Sequence, residues 1–391
     1  MQHTRHLPSL LALALALAAT LSACDRAPAP AADAAQPAEP QVVESQQGQA
    51  RLSVVASGLS HPWAVAPLPD GGFLVTERGG NLRRIGADGS ISEPVKGVPA
   101  VAARGQGGLL DVALAPDFAT SHRIYLTYAE PGENGTSGTA AAYATLDGDT
   151  LTELTVIYRQ EPKVDAEYHY GSRLAFDDQG HVFISQGDRS FKPMAQQLDK
   201  LQGKLVRLRL DGSIPEDNPF VGREGARPEI WSYGHRNSQG AAINPVTGKL
   251  WETEHGPRGG DELNIPEAGK NYGWPVIGYG INYDGTKAHE STHKEGMEQP
   301  IKQWTPVIAA SGMAFYQGDL FPKWKGNLFL GGLAGKVLVR LELDGDKVVN
   351  EERLLTQINE RIRDVRAGPD GALWLVTDNV NGRILRVTPA K

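Results

Sequence analysis

Trp63-Ala64-Val65-Ala66, followed by Pro69-Asp70-Gly71, is a short apolar run ended by a tight-turn tripeptide. That pairing reads as a β-strand running into a hairpin turn, and the chain repeats it. Leu110-Asp111-Val112-Ala113-Leu114 precedes Pro116-Asp117, and Arg173-Leu174-Ala175-Phe176 precedes Asp177-Asp178-Gln179-Gly180. Gln239-Gly240-Ala241-Ala242-Ile243 precedes Asn244-Pro245. The fifth and sixth copies are Ser311-Gly312-Met313-Ala314-Phe315 and Ile362-Arg363-Asp364-Val365, the latter before Pro369-Asp370-Gly371. Several copies add a further strand, as in Gly203-Lys204-Leu205-Val206-Arg207-Leu208 and Gly335-Lys336-Val337-Leu338-Val339-Arg340-Leu341. Three or four short strands repeated six times predict an all-β chain folded as a six-bladed β-propeller with mostly four-stranded antiparallel blades. The unequal spacing argues against a solenoid, whose repeats stack at nearly constant period. A β-sandwich shares the short-strand signature and is the competing architecture. In a propeller, Leu52-Ser53-Val54-Val55 would join the C-terminal strands up to Ile384-Leu385-Arg386-Val387 and close the ring.

Composition agrees. With 391 residues, 40% hydrophobic, 45 Gly and 26 Pro, the chain is globular and rich in turns. A formal net charge of −7, with no Lys/Arg block outside the extreme N-terminus, argues against a nucleic-acid partner. At the N-terminus, His3, Arg5 and His6 precede an apolar run from Leu10 to Leu21, which reads as an export signal too short to span a bilayer. Leu21-Ser22-Ala23-Cys24 resembles a bacterial lipobox, so residues 1–23 are expected to be removed and Cys24 lipidated. Asp25 resembles an inner-membrane retention signal. The expected location is therefore periplasmic, on a membrane only through the lipid anchor. Cys24 is the only cysteine, which excludes an intramolecular disulfide and a C-x-x-C-H haem attachment. Residues 24–50 are Ala, Pro, Gln and Glu with few large apolar side chains and read as a flexible tether; the folded part is expected over 51–391.

Thr253-Glu254-His255-Gly256-Pro257-Arg258-Gly259-Gly260-Asp261-Glu262-Leu263-Asn264-Ile265 mixes acids, His and Arg with Gly and Pro. Such a backbone turns sharply and presents carbonyl oxygens, which hard cations accept alongside carboxylates; by itself it also reads as an ordinary polar loop. His169, between Tyr168 and Tyr170, reads by itself as a packed histidine, and Arg361 and Arg363 as surface charges on one face of a strand.

Five further motifs change that reading. They are Gly105-Gln106-Gly107-Gly108-Leu109-Leu110-Asp111, Tyr168-His169-Tyr170-Gly171-Ser172-Arg173-Leu174, Gly187-Asp188, Gly234-His235-Arg236-Asn237-Ser238-Gln239-Gly240 and Arg361-Ile362-Arg363-Asp364-Val365. With His255 to Pro275 they follow the order seen in the soluble quinoprotein glucose dehydrogenases, and the chain more closely resembles the related aldose sugar dehydrogenases from Arg51 to Pro389. The resemblance implies a six-bladed propeller that binds pyrroloquinoline quinone and Ca2+ and oxidises aldoses at C1 to the lactone. It implies His169 as general base, oriented by Asp188, and Arg236 and Asn237 facing the quinone carbonyl. Gln106, Arg361 and Arg363 would contact the cofactor, whose three carboxylates need cationic partners. Gly256 and Pro257 would bind calcium through main-chain carbonyls. An imidazole suits the base role because its unperturbed pKa of about 6.5 lets it accept a proton near neutrality.

Three departures qualify the resemblance. Ala334 stands where the glucose dehydrogenases carry a lysine, so that contact is missing or supplied by Arg258 or Lys336. Tyr168 replaces an acid before the base, and His255 replaces a glutamine. Electrons are expected to pass to an external acceptor, from a monomer or homodimer. No Gly-rich turn cradles a dinucleotide. The competing functions are a calcium-dependent sugar-lactone hydrolase, which needs side-chain carboxylates at the axis, and a non-enzymatic binding propeller, whose polar residues need not converge.

Overall fold

Each of the six apolar runs is the first strand of its own sheet in this structure, a computed structural model that describes residues 39–390. The six first strands are Pro62–Pro67, Leu109–Leu114, Gly171–Phe176, Ser238–Ile243, Ala310–Phe315 and Ile362–Ala367. They pack side by side around an axis, each contacting the next, with the sixth returning to the first. From each, the chain runs outward through antiparallel strands, giving five four-stranded sheets and one of five strands. The fold is a six-bladed β-propeller. Helix is confined to short turns such as Phe118–Ser121 among the described residues.

The ring closes where the sequence reading placed the closure: Gly48–Leu59 pairs with Gly382–Pro389, with Leu52 opposite Val387 and Val54 opposite Leu385. The boundary of the folded part is corrected, however. A strand at Gln41–Ser45 pairs back on Gly48–Leu59, Val43 opposite Ala50, and forms the fifth strand of the sixth blade. Val43 is 3% exposed, within the apolar layer between the fifth and sixth blades. Residues 41–50 of the tether assigned to 24–50 therefore belong to the sheet. The surrounding Ala, Pro, Gln and Glu hid two valines beside a Gln46-Gln47 turn, and one buried valine is enough to seat a hairpin edge strand. The export signal, Cys24 and Asp25 lie outside the described residues.

Six apolar clusters hold the ring, one between each pair of neighbouring blades. Aromatic and branched side chains of one sheet fill the spaces of the next, and burial of that surface is the main stabilising term. At the axis the strands approach too closely for such side chains. There Asp111 and Asp364 each pair with Arg173 and Arg366, at 2.7 to 3.1 Å, tying the second, third and sixth blades together. Above this buried floor, every first strand begins with a register shift against its neighbour, as at Pro62/Ala64, Ser238/Gly240 and Ile362/Asp364. Bulges bend a strand and re-aim its side chains. Six of them on one face turn the residues that precede the first strands toward the axis.

Candidate active site

That face carries the sequence-derived residues. Gln106, His169, Arg236, Asn237 and Arg361 immediately precede first strands, while Asp188, Gly256 and Pro257 follow the second strands of the third and fourth blades. Gln106, Tyr168, His169, Asp188, Arg236, Pro257 and Trp274 line one cleft of about 460 Å³, within the size range of small-molecule sites.

His169 is the most constrained of them. Its backbone lies in the left-handed region at φ 57°, a conformation that costs a non-glycine residue of order 1 kcal/mol or more and persists only where neighbours enforce it. Gln106 Oε1 accepts its backbone N–H at 2.8 Å. Gly187 lies so close beneath it that an added Cβ would overlap the His169 carbonyl, which is why Gly187-Asp188 is needed as a pair. Nδ1 of His169 meets Asp188 Oδ1 at 2.6 Å. The second oxygen of Asp188 takes the Trp274 indole N–H at 2.7 Å, and the Ser190 N–H adds a third donor at 2.7 Å. An ionised carboxylate only accepts, so Nδ1 must carry the hydrogen and Nε2 is left as the acceptor. Burial, and next the Arg236 charge, hold the His169 pKa below its usual value against the pull of Asp188. Burial pushes Asp188 the other way, but its bond to His169 and the nearby charges outweigh it and keep the carboxyl low.

Arg236 reaches the His255 carbonyl at 2.9 Å and lies over the Trp274 ring at 5.2 Å, and its backbone N–H donates to Glu254. Its buried Nε has no partner among the described residues. Asn237 is equally buried; Oδ1 accepts the Gly171 N–H at 3.1 Å and Nδ2 is unpartnered among the same residues. Across the cleft face, Arg363 donates to Gln239 at 2.7 Å and Asp378 at 2.6 Å, while Arg361, 43% exposed, meets the same carboxylate at 3.2 Å. Burial raises Asp378, yet Arg363 overrides it and holds the carboxyl far below the normal range. One carboxylate thus faces two arginines, with His61 also at 3.1 Å, and the Arg363 Nε is buried with no partner among the described residues. This surplus of buried positive donors fits a polyanionic ligand with carbonyl acceptors, as pyrroloquinoline quinone is.

The Gly256 and Pro257 carbonyls accept no hydrogen bond among the described residues, so both are free for a hard cation such as Ca2+. Their turn is pinned by Asp261, which accepts the N–H groups of Gly256 at 2.9 Å, Ile308 at 2.9 Å and Ala309 at 2.6 Å. Burial drives the Asp261 pKa up to about 6 despite these donors. Behind the turn lies a buried group, His235 with Glu252 and Glu254. Burial opposes protonation of His235, but the two glutamates win and raise it to about 9.

Sequence reading missed several supports. Trp274, Asp378 and Glu254 had no motif spacing that tied them to the residues they hold. Of the two cations offered for the Ala334 departure, Lys336 is committed to Asn359 at 3.0 Å and Arg258 is exposed. Arg78, half-buried and near enough to Arg363 to lower its pKa, has no side-chain partner among the described residues and was passed over.

Residues 59–386 match the family model described as Glucose / Sorbosone dehydrogenase. The chain is 52% identical to the aldose sugar dehydrogenase YliI of Escherichia coli, across 86% of this chain and 92% of that one. A crystal structure of a glucose dehydrogenase superposes with a TM-score of 0.85 at 54% identity, covering 87% of this chain and 99% of the other. The PQQ-bound aldose sugar dehydrogenase of Streptomyces coelicolor superposes with a TM-score of 0.71 at 30% identity, over 86% and 98% of the two chains.

Proposed function

The chain belongs to the glucose/sorbosone dehydrogenase family, and on that premise we propose that it oxidises the C1 position of aldose sugars to the lactone, with His169 as general base. The observation that carries this reading is the His169–Asp188–Trp274 relay at the wall of a cleft that Arg236 also lines. Nε2 of His169 takes the proton of the anomeric hydroxyl as the C1 hydrogen departs with its electron pair, and C1 becomes the lactone carbonyl. Asp188 stabilises the imidazolium that results and keeps the ring from turning. Pyrroloquinoline quinone, when bound, supplies the two-electron acceptor for that hydride. Arg236 and Asn237 provide fixed donors where negative charge develops, Gln106 holds the backbone of the base, and Arg361 and Arg363 bind carboxylates. The Gly256 and Pro257 carbonyls would hold Ca2+, which would add Lewis acidity and orientation. An external acceptor then takes the electrons. The leader and Cys24 motif place the enzyme, in this reading, outside the cytoplasm on a lipid anchor.

The lactone-hydrolase alternative needs free carboxylates at the axis, and Asp111 and Asp364 are there committed to Arg173 and Arg366. The binding-propeller alternative loses its ground because the polar residues do converge. The test is dye-coupled oxidation of an aldose panel by purified protein lacking Cys24, with Ca2+ and pyrroloquinoline quinone added singly and together. Turnover that requires both and vanishes in His169→Ala is expected; turnover undiminished in that variant overturns the assignment of the base.

A further inference from the structure

Directly after Asp188 the chain turns through two residues of positive φ, Arg189 at 52° and Ser190 at 64°. The turn sends the Arg189 side chain inward, fully buried under the loop that carries His169. Its Nη1 donates to the Tyr168 carbonyl, and its Nη2 to the Ala166 carbonyl at 2.6 Å and the Ser137 hydroxyl at 3.0 Å. The guanidinium carbon lies 3.4 Å from the centre of the Tyr170 ring, whose hydroxyl meets Ser137 at 2.8 Å. The Arg189 backbone N–H reaches the His169 carbonyl at 3.3 Å. One side chain therefore grips residues on both sides of the base. Its side-chain partners are carbonyls, a hydroxyl and a ring, and burial lowers its pKa to about 10. Burying a charge in this way carries a desolvation cost that an apolar side chain would not, so packing alone does not account for an arginine here.

We propose that Arg189 is a positioning residue for the base: its fork locks the Ala166–Tyr170 loop so that His169 keeps its left-handed backbone and its place on the cleft wall, and its fixed charge sits behind the imidazole. The proposal rests on His169 being the base. The planar fork is what the geometry requires, since a lysine ammonium at the end of a flexible stem cannot span both carbonyls and stack on Tyr170. The charges facing His169 are Asp188 from the same turn, Arg236 from the turn before the fourth first strand, Arg189 itself, and His255, which burial keeps neutral. Of these, Arg189 and Arg236 disfavour the imidazolium and Asp188 favours it. Removing the Arg189 charge must therefore raise the pKa of the base.

The test compares Arg189→Gln and Arg189→Lys with the parent. Imidazole NMR titration of the apoprotein reads the charge effect without any cofactor. Turnover of the reconstituted enzyme against pH reads positioning. Arg189→Gln is expected to lower kcat about 10- to 100-fold, as a displaced catalytic group does, with KM within about threefold. It should also move the His169 titration and the acid limb of the rate profile to higher pH. Arg189→Lys is expected to lose a similar factor in kcat with the titration unmoved. A Gln variant with kcat within about twofold of the parent and an unmoved titration overturns the proposal. If the Gln variant does not fold, a Lys variant with parental kcat does so. His169→Asn separates the two readings: parental turnover there removes the base assignment, whereas lost turnover there with parental Arg189 variants removes only this proposal.

Discussion

Asp188 holds His169 at 2.6 Å with one oxygen and is itself held by the Trp274 indole at 2.7 Å with the other. The carboxylate cannot turn, so the tautomer of the imidazole is fixed. Asp188→Asn would preserve shape while offering Nδ1 either an N–H donor or a neutral oxygen. Loss of kcat by about 10³- to 10⁴-fold is expected, comparable to the loss of an orienting aspartate behind other catalytic histidines, with cofactor affinity little changed. Steady-state kinetics beside a cofactor titration of the apoprotein checks both halves.

The same pair sets the pH dependence. Burial and Arg236 depress the His169 pKa, so the neutral, competent base persists below pH 6.5 and the acid limb of kcat/KM should fall under that value. The stability sign follows. Between 6.5 and the lower folded value the unfolded chain binds more protons, so this residue makes the fold less stable as pH falls through that window. His235 works the other way: with its pKa raised to about 9, its contribution is complete below pH 6.5 and lost as pH rises through about 9. Thermal unfolding of the apoprotein from pH 5 to 10 should show both flanks, and His235→Gln should remove the alkaline one.

Arg361 and Arg363 share Asp378 but differ in burial, 43% against 7% exposed at the side chain. A charge-assisted bond from a buried donor is worth about 1.5–3 kcal/mol and is weakly screened, whereas an exposed one is worth less and fades with salt. Arg363→Ala should weaken cofactor binding by about 10- to 100-fold at any salt concentration. Arg361→Ala should cost less, and its cost should shrink at about 0.5 M salt. Quenching of tryptophan fluorescence on titration of the apoprotein gives the constants, and equal losses in the two variants would contradict the difference in burial.

How much of this was legible in the sequence depends on range. All six first strands were readable because each is a local apolar run, five of them ended by turn residues, and ring closure followed from having one unmatched strand at each end. His169, Asp188, Arg236 and Arg363 came through family motifs; their own spacing gave nothing, because the propeller joins them across blades. Trp274 lay within the His255–Pro275 run and Asp378 in no motif, and the contacts of both were hidden for the same reason in reverse. They act 86 and 15 residues from Asp188 and Arg363, through bonds that no local pattern encodes.

Metal dependence should separate backbone from side chain. The groups offered to Ca2+ are carbonyls, so Pro257→Ala leaves the ligand atom in place and should keep calcium activation within about threefold. Gly256→Ala should not, since its Cβ would lie 2.3 Å from the Gly259 and Gly260 carbonyl oxygens. Chelation followed by calcium titration, read by turnover, should give a near-parental midpoint for the proline variant and a much higher one for the glycine variant.

The N-terminal hairpin offers a test of the fold itself. The composition of residues 24–50 suggests that a protein beginning at Arg51 is whole, but Val43 is buried between blades and the Gln46 N–H donates to Glu352 at 2.5 Å. Glu352 in turn holds the buried Arg340 at 2.6 Å. Cutting at Arg51 would expose that ion pair and leave what remains of that strand, residues 51–59, as a bare sheet edge. Losing a buried valine and one bond to a charged group should together cost about 2–4 kcal/mol. A protein beginning at Glu39 should keep the parental melting temperature, while one beginning at Arg51 should melt several degrees lower and aggregate more readily. Equal melting temperatures would mean that the first strand is an ornament on a ring already closed by residues 51–59.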